Sequence, residues 1–252
     1  MIIGILQARL GSSRLPGKVL KPILSKPMLL RQLERLQRAR MIDLLVVATT
    51  CLKEDDQIEN LCNMNGISCF RGSELDLLDR YYRAAEKYNA KIIARLTGDD
   101  PLTDPDLIDR MIIELKTEGY DVVTNSITPT YPEGLDVTIM RSNVLFDAWS
   151  NAILPSHREH VTPYIFGARS KYKIFNYVQD IDYSAFRWTV DHQTDFDFVE
   201  EVYKQLYLKK SDFSTEDIYK FLDLNPSLAN TNSMYERNEG YLKSLKLDPK
   251  VR

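Results

Sequence analysis

No apolar run in this sequence approaches the ~18 residues of a membrane-spanning helix. The first residues pass straight into an apolar stretch with no charged leader, so neither a secretion signal nor a membrane partner is expected, and a cytoplasmic location is. Cysteine is scarce. Cys51, Cys62 and Cys69 are an odd number in helix-like or strand-like surroundings. They read as small apolar thiols of a reducing compartment, and they lack a fourth ligand at the spacing of a zinc site. Net positive charge is missing too. Lys and Arg number 33 against 36 Asp and Glu, a balance of −3, which argues against nucleic-acid or membrane-surface binding. There is no G-x-G-x-x-G, no G-x-S-x-G, and no Cys–His pair with an orienting group. The dinucleotide fingerprint and a covalent nucleophile are therefore not proposed.

What is present is concentrated near the start. Residues 1–42 carry nine Lys and Arg but one acidic residue, in a chain that is net acidic. Within them, Gln7-Ala8-Arg9-Leu10-Gly11-Ser12-Ser13-Arg14-Leu15-Pro16-Gly17-Lys18 joins the apolar run 2–6 to a helical pattern from residue 28. Glycines let backbone N–H groups approach phosphate oxygens, and the serine hydroxyls add neutral donors. Arg9, Arg14 and Lys18 supply charge-assisted hydrogen bonds. Such a loop is expected to bind a polyanion, and a surface turn that happens to be basic is the alternative. It is not a Walker A loop: five residues, not four, separate Gly11 from Gly17, and Val19 follows the lysine.

Apolar runs at 2–6, 44–48, 67–70, 91–96 and 120–124 alternate with helical patterns at 28–40, 55–64, 75–88 and 104–116. Continuous apolar strands between amphipathic helices predict a three-layer α/β domain with a mostly parallel sheet. Its ligand site then lies beyond the carboxyl ends of the strands. That edge collects the loop at 7–18, Thr49-Thr50, Arg71-Gly72-Ser73 and Thr97-Gly98-Asp99-Asp100. After residue 125 the alternation loosens. Strands are expected at 135–140, 172–178 and 188–190, and helices at 143–152, 155–166 and 195–208. A final capped helix is expected at 218–222, introduced by Ser214-Thr215-Glu216-Asp217. We expect one domain over 1–224, with 225–252 a polar, extended or irregular extension of it.

Two carboxylates at a strand end facing a basic loop suit Mg²⁺, and a hydrogen-bonded turn is the alternative. Asp191 ends another apolar run and is a natural second carboxylate for Asp99. Glu133 and Asp136 flank Gly134 in a turn, with substrate contact as the minority reading. His157 and His160 share a helix face. Acceptor binding or a structural role suits them better than a metal, because no third neutral ligand is near.

These residues resemble the sugar cytidylyltransferases, which make CMP-activated octulosonate and sialic acids. The loop at 7–18 matches that family's signature. Val-Val-Ala-Thr-Thr at 46–50, Phe-Arg-Gly-Ser at 70–73 and Leu-Asp-Arg-Tyr-Tyr at 78–82 point to the spore coat polysaccharide biosynthesis F-like branch. So do Thr-Gly-Asp at 97–99, Tyr-Pro-Glu-Gly-Leu-Asp-Val at 131–137 and Arg-Glu-His-Val-Thr-Pro-Tyr at 158–164. The resemblance implies a glycosyltransferase-A-like fold, a homodimer, and Mg²⁺-dependent transfer of a cytidylyl group from CTP to a sugar or small anionic acceptor. It gives Arg14 and Lys18 the triphosphate, Gly11 and Ser12 the loop donors, and Asp99 with Asp191 the metal. Arg14, Lys18 and Asp99 would be the catalytic set. Gln7, Ala8, Arg9, Thr97 and Gly98 fall in the nucleotide motifs, and Ala48, Thr49, Ser73 and Arg80 where the family encloses base and ribose. Glu133, Asp136, Arg158 and His160 fall on the acceptor side. Thr50 and Asp100 depart from the family pattern, and the acceptor stays open. A transferase using another nucleotide, or a non-catalytic nucleotide-binding protein on the same fold, are the alternatives.

Overall fold

The computed structural model describes residues 1–167 and 171–249. Strand β1 (Ile2–Gln7) leads through the basic loop to a 3₁₀ turn, Lys18–Leu20, and a small hairpin of β2 (Pro22–Ile23) and β3 (Lys26–Pro27). Helix α1 (Met28–Leu36), β4 (Leu44–Thr50), α2 (Asp56–Met64), β5 (Ser68–Gly72), α3 (Leu77–Lys87), β6 (Ile92–Thr97) and α4 (Pro105–Thr117) continue the alternation. Then come β7 (Val122–Thr124), β8 (Thr138–Arg141), α5 (Ser142–Asn151), α6 (Pro155–His160), α7 (Thr162–Gly167) and β9 (Ile174–Asn176). Helices α8 (Gln193–Leu206), α9 (Thr215–Asp223), α10 (Pro226–Ala229) and α11 (Glu239–Leu245) close the chain.

The main sheet has seven strands in the order β5-β4-β1-β6-β8-β7-β9. Strands β5, β4, β1 and β6 are parallel, and β8 runs antiparallel to both β6 and β7. Alternation along each strand feeds two cores. Ile3, Ile5, Val46, Ala48 and Ile93 pack with α3 and α5 on one face. Leu6, Val47, Ala94 and Leu96 pack with α1, α4 and α8 on the other. Burying a side chain of this size contributes roughly 1.5–3 kcal/mol, so the two faces together hold the sheet ends in place.

The expected mostly parallel α/β architecture is present, and the departures have local causes. The helix expected over 155–166 is two helices, broken at Val161, whose φ is +69°. Pro163 fits the break, because it has no N–H to donate to the preceding turn and is tolerated only in the first turn of the new helix. The strand expected over 188–190 forms no ladder. Trp188 and Thr189 both donate to the Glu133 carbonyl, and Val190 donates to that of Asp99. The segment after residue 225 carries two short helices, α10 and α11, joined by turns, and folds back on the domain; its last residues, 250–252, lie outside the described ones.

The Ser214–Asp217 capping box is present. The Asp217 carboxylate accepts from Ser214 N at 2.7 Å and the Ser214 hydroxyl from Asp217 N at 3.2 Å. Lys210 at 2.8 Å, then Ser214, holds Asp217 down to about 2. A depressed carboxyl contributes stability above its unfolded value, near 4, and loses it as pH falls toward 2. Asp217→Asn is therefore expected to cost about 1 kcal/mol at pH 7, a Tm loss of roughly 2–4 °C. Melting curves from pH 7 to pH 3 should show that gap closing, and a pH-independent gap would refute the ionic part.

Candidate active site

The neighbouring parallel strands β5, β4, β1 and β6 end together, and the basic loop leaves from β1, between β4 and β6. Its shape is internally determined. Gly17 N donates to Leu10 O at 3.0 Å with φ +68° at Gly17, and the Ser12 hydroxyl accepts from Leu15 N at 3.3 Å. The loop is tied to the next strand by Asp55, which is fully buried. Its carboxylate accepts from Leu10 N at 2.8 Å and from the Thr50 hydroxyl. Ala8 N continues the pairing of β1 with β4 by donating to Ala48 O at 3.2 Å.

Beside it, β6 runs into Thr97-Gly98-Asp99-Asp100. Gly98 N donates to Gln7 O at 2.8 Å, and a Cβ at residue 98 would stand 2.6 Å from that oxygen. Only glycine brings the two strand ends this close, and the approach aims Asp99 at the loop. Asp100 points inward to the Thr97 hydroxyl. Burial, then the neighbouring Asp99, pushes its carboxyl well above the usual range.

Lys18 is the centre of the arrangement. Its Nζ donates to Asp99 Oδ2 at 3.0 Å, Asp191 Oδ1 at 2.9 Å and Val190 O at 2.7 Å, and only 7% of the residue is exposed. Burial opposes the charge, but Asp99 and Asp191 outweigh it and raise the ammonium above its ordinary value. Arg14 joins the same carboxylate, Nη2 to Asp191 Oδ1 at 2.6 Å. Burial works against Asp191 ionising, yet Lys18, Arg14 and Arg187 hold it down to about 2.

Arg187 was not among the residues singled out from the sequence, and it organises the far side. Nearly fully buried, it reaches Glu133 at 2.5 Å, Asp191 at 3.2 Å and Asp195 at 3.0 Å. Asp195 in turn accepts from the backbone of Asp191 and His192, both at 2.9 Å, at the start of α8. Arg187, Asp191 and Asp195 are spaced four apart, a signal that was available. Gly134, at φ +107°, lies so close that a Cβ would meet Thr189 N at 2.4 Å, so the 131–134 turn seats the Arg187–Asp191 segment.

Arg80 is buried and donates to the carbonyls of Ser73 at 2.8 Å and Glu74 at 3.3 Å, and more distantly to that of Ala48. Burial, then Arg9, lowers its pKa from the ordinary value, so the two guanidiniums share a neighbourhood. Neither Arg9 nor Arg80 meets a carboxylate in salt-bridge range among the described residues. Gln7 Oε1 and Thr49 Oγ1, at the ends of β1 and β4, are buried polar atoms without a partner among the described residues. The Ser73 hydroxyl accepts from Asp76 N at 3.1 Å.

The residues expected on the acceptor side have protein partners. Glu133 is engaged by Arg187, and Asp136 by Arg237 at 2.6 Å. Arg158 bridges Asp76, the N-cap of α3, and the Trp149 carbonyl at 2.7 Å. His160 Nε2 bonds the Ser244 hydroxyl at 2.8 Å, while His157 lies edge-on to Tyr164, so the two histidines serve different partners. Three of these partnerships, those of Glu133, Asp136 and His160, involve the chain after residue 236. There Asn238 N donates to Glu133 Oε1 at 2.9 Å.

A model of the family described as Cytidylyltransferase matches residues 3–233, so α11 lies beyond the matched part. The chain is 41% identical over 235 residues to MJ1063 of Methanocaldococcus jannaschii, covering 92% of this chain and 94% of that one. It is 34% identical to the spore coat polysaccharide biosynthesis protein SpsF of Bacillus subtilis, covering 90% and 96%. Among solved structures it resembles a cytidylyltransferase of Leptospira borgpetersenii, with TM-score 0.87 and 35% identity over 93% of this chain and 99% of that one. A CMP:2-keto-3-deoxy-manno-octonic acid synthetase complexed with CTP shares the fold, with TM-score 0.65 and 19% identity over 81% of this chain and 98% of that one.

Proposed function

The chain belongs to the cytidylyltransferase family, and from that premise we propose that it moves the cytidylyl group of CTP onto a hydroxyl of a small anionic or sugar acceptor. In that reaction the acceptor oxygen forms a bond to the α-phosphorus of CTP. The bond from that phosphorus to the bridging oxygen breaks, pyrophosphate leaves, and the acceptor's proton is released. Such transfers are accelerated mainly by positioning and by neutralising charge on the transferring group.

The observation that carries the reading is the seat of Lys18. One ammonium touches both candidate metal carboxylates at the strand ends, beside a loop that brings Arg9 and Arg14. Arg14 and Lys18 are proposed to take the triphosphate, with Arg9 and Arg80 adding positive charge. Gly11 N and the Ser12 hydroxyl are the proposed loop donors, since Ser12 N is taken by Leu10 O at 2.7 Å. The unpartnered Gln7 Oε1 and Thr49 Oγ1 are suited to a nucleoside, because buried polar atoms are normally satisfied. Thr97 and Gly98 act by placing Asp99.

The donor set fits Mg²⁺. Two hard carboxylate oxygens converge on one point, within 3.0 Å of the same Nζ. Among the described residues no group of three or more His, Cys, Asp or Glu is placed to hold a metal. Asp99 and Asp191 would then supply the protein's share and substrate phosphates the rest, which is the usual manner for this ion. When bound, Mg²⁺ would neutralise charge on the phosphate oxygens. For the acceptor, the likeness to SpsF supports a sugar of surface polysaccharide over other anions. Among the described residues no helix is long and apolar enough to cross a membrane.

Pyrophosphate release from CTP, UTP, ATP and GTP, each with Mg²⁺ and a pool of acidic sugars, tests the proposal. CTP is expected to exceed the others by at least about tenfold, equivalent to ~1.4 kcal/mol. Equal rates with UTP or ATP would overturn the nucleotide assignment. Absence of both release and nucleotide binding would overturn the site.

A further inference from the structure

The chain after residue 231 doubles back across the edge that carries the site and ends in α11. At the first residue of that helix, Glu239 Oε2 accepts from Arg14 Nη1 at 3.2 Å and lies 3.1 Å from His192 Nε2. Farther along, Ser244 holds His160 at 2.8 Å and Glu159 at 2.6 Å. The leucines of this segment do not anchor it: Leu242, Leu245 and Leu247 are 37%, 41% and 76% exposed, and its ring contacts are Tyr235 stacked on His192 and Tyr241 edge-on to His160. Apart from those two ring contacts, around Glu239 it is held by hydrogen bonds and partly exposed ion pairs. Such contacts are individually weak and open at low cost.

A carboxylate on a guanidinium makes the contact that a phosphate would make. Arg14 has committed Nη2 to Asp191 and Nη1 to Glu239. A triphosphate reaching the same guanidinium meets the negative charge of Glu239 and competes with it for the N–H groups. We propose that Glu239 is an internal competitor for the nucleotide's phosphates, and that α11 is a strap which CTP displaces from Arg14. The proposal rests on the reading of Arg14 as a triphosphate ligand. Glu239 is thus a positioning residue that sets nucleotide affinity and takes no part in bond formation.

A purely structural role predicts that loss of Glu239 weakens CTP binding. Competition predicts the reverse. Titration calorimetry of the full chain with CTP and Mg²⁺, without acceptor, should give a Kd roughly fivefold lower for Glu239→Gln than for the unaltered protein, the scale of one partly exposed ion pair. In the unaltered protein, amide hydrogen exchange over residues 239–245 should rise when CTP is added. An unchanged or higher Kd in the variant, or exchange that falls on CTP addition, overturns the strap while leaving the nucleotide site standing. If the unaltered protein binds no CTP, the reading of Arg14 fails and the strap proposal fails with it.

Discussion

Lys18→Met is expected to lower CTP-dependent pyrophosphate release by about 10²–10³-fold, the range for deleting one preorganised group that meets developing charge. The methionine keeps most of the side chain's volume and removes the ammonium that now touches Asp99 and Asp191 together. Those carboxylates then face each other with less positive charge between them, although Arg14 still holds Asp191. The second consequence is opposite in sign and needs no turnover. If Asp99 and Asp191 hold the metal as proposed, Lys18 and a divalent cation would compete for the same two oxygens, so Mg²⁺ should raise the Tm of Lys18→Met more than that of the unaltered protein. Thermal melts across a Mg²⁺ series, run beside the release assay, measure both. Release within fivefold of normal would take Lys18 out of the reaction. An equal or smaller Mg²⁺ effect on Tm would separate the carboxylates from the metal.

The second large effect is expected at a residue that touches no substrate in this reading. Arg187→Leu removes a single buried cation from three carboxylates, those of Glu133, Asp191 and Asp195. Breaking a buried ion pair by deleting one partner costs about 3–5 kcal/mol, because the remaining charge is left without compensation. In a chain of this size that is a Tm loss of roughly 10 °C. The guanidinium is itself raised above its ordinary pKa: burial opposes the charge, but Asp195, Glu133 and Asp191 more than offset it. Arg187→Lys should recover only part of the loss, since a lysine cannot reproduce a planar fork that meets three acceptors. Differential scanning calorimetry of both variants decides it. A Tm within 2 °C of normal for Arg187→Leu would mean that the carboxylates are stabilised from elsewhere.

Much of this protein is local in sequence. The apolar run at 2–6, the glycine- and arginine-bearing loop after it, and the leucines of α1 are neighbours along the chain. Period and residue type alone therefore predicted strand, anion loop and helix there. Asp104 before Pro105 and the Ser214–Asp217 pair likewise announce the starts of α4 and α9, because a cap is made within one turn. Alternation of such units is enough to require a mostly parallel sheet with its ligand edge at the strand ends.

What the sequence alone did not contain is the pairing of charges from distant parts. Glu133 reads as a turn residue, and only folding brings it to Arg187, 54 positions away. The run at 188–190 has the composition of a strand, but the Glu133 carbonyl takes two of its N–H groups and the Asp99 carbonyl the third, so no ladder forms. The polar composition after residue 225 predicts irregular chain. Yet Glu239 meets Arg14 across 225 positions, and polar partners on the domain hold the segment there. Periodicity reports which face of an element is buried. It does not report which carboxylate a buried cation will find, because that depends on how separate elements close around the strand ends.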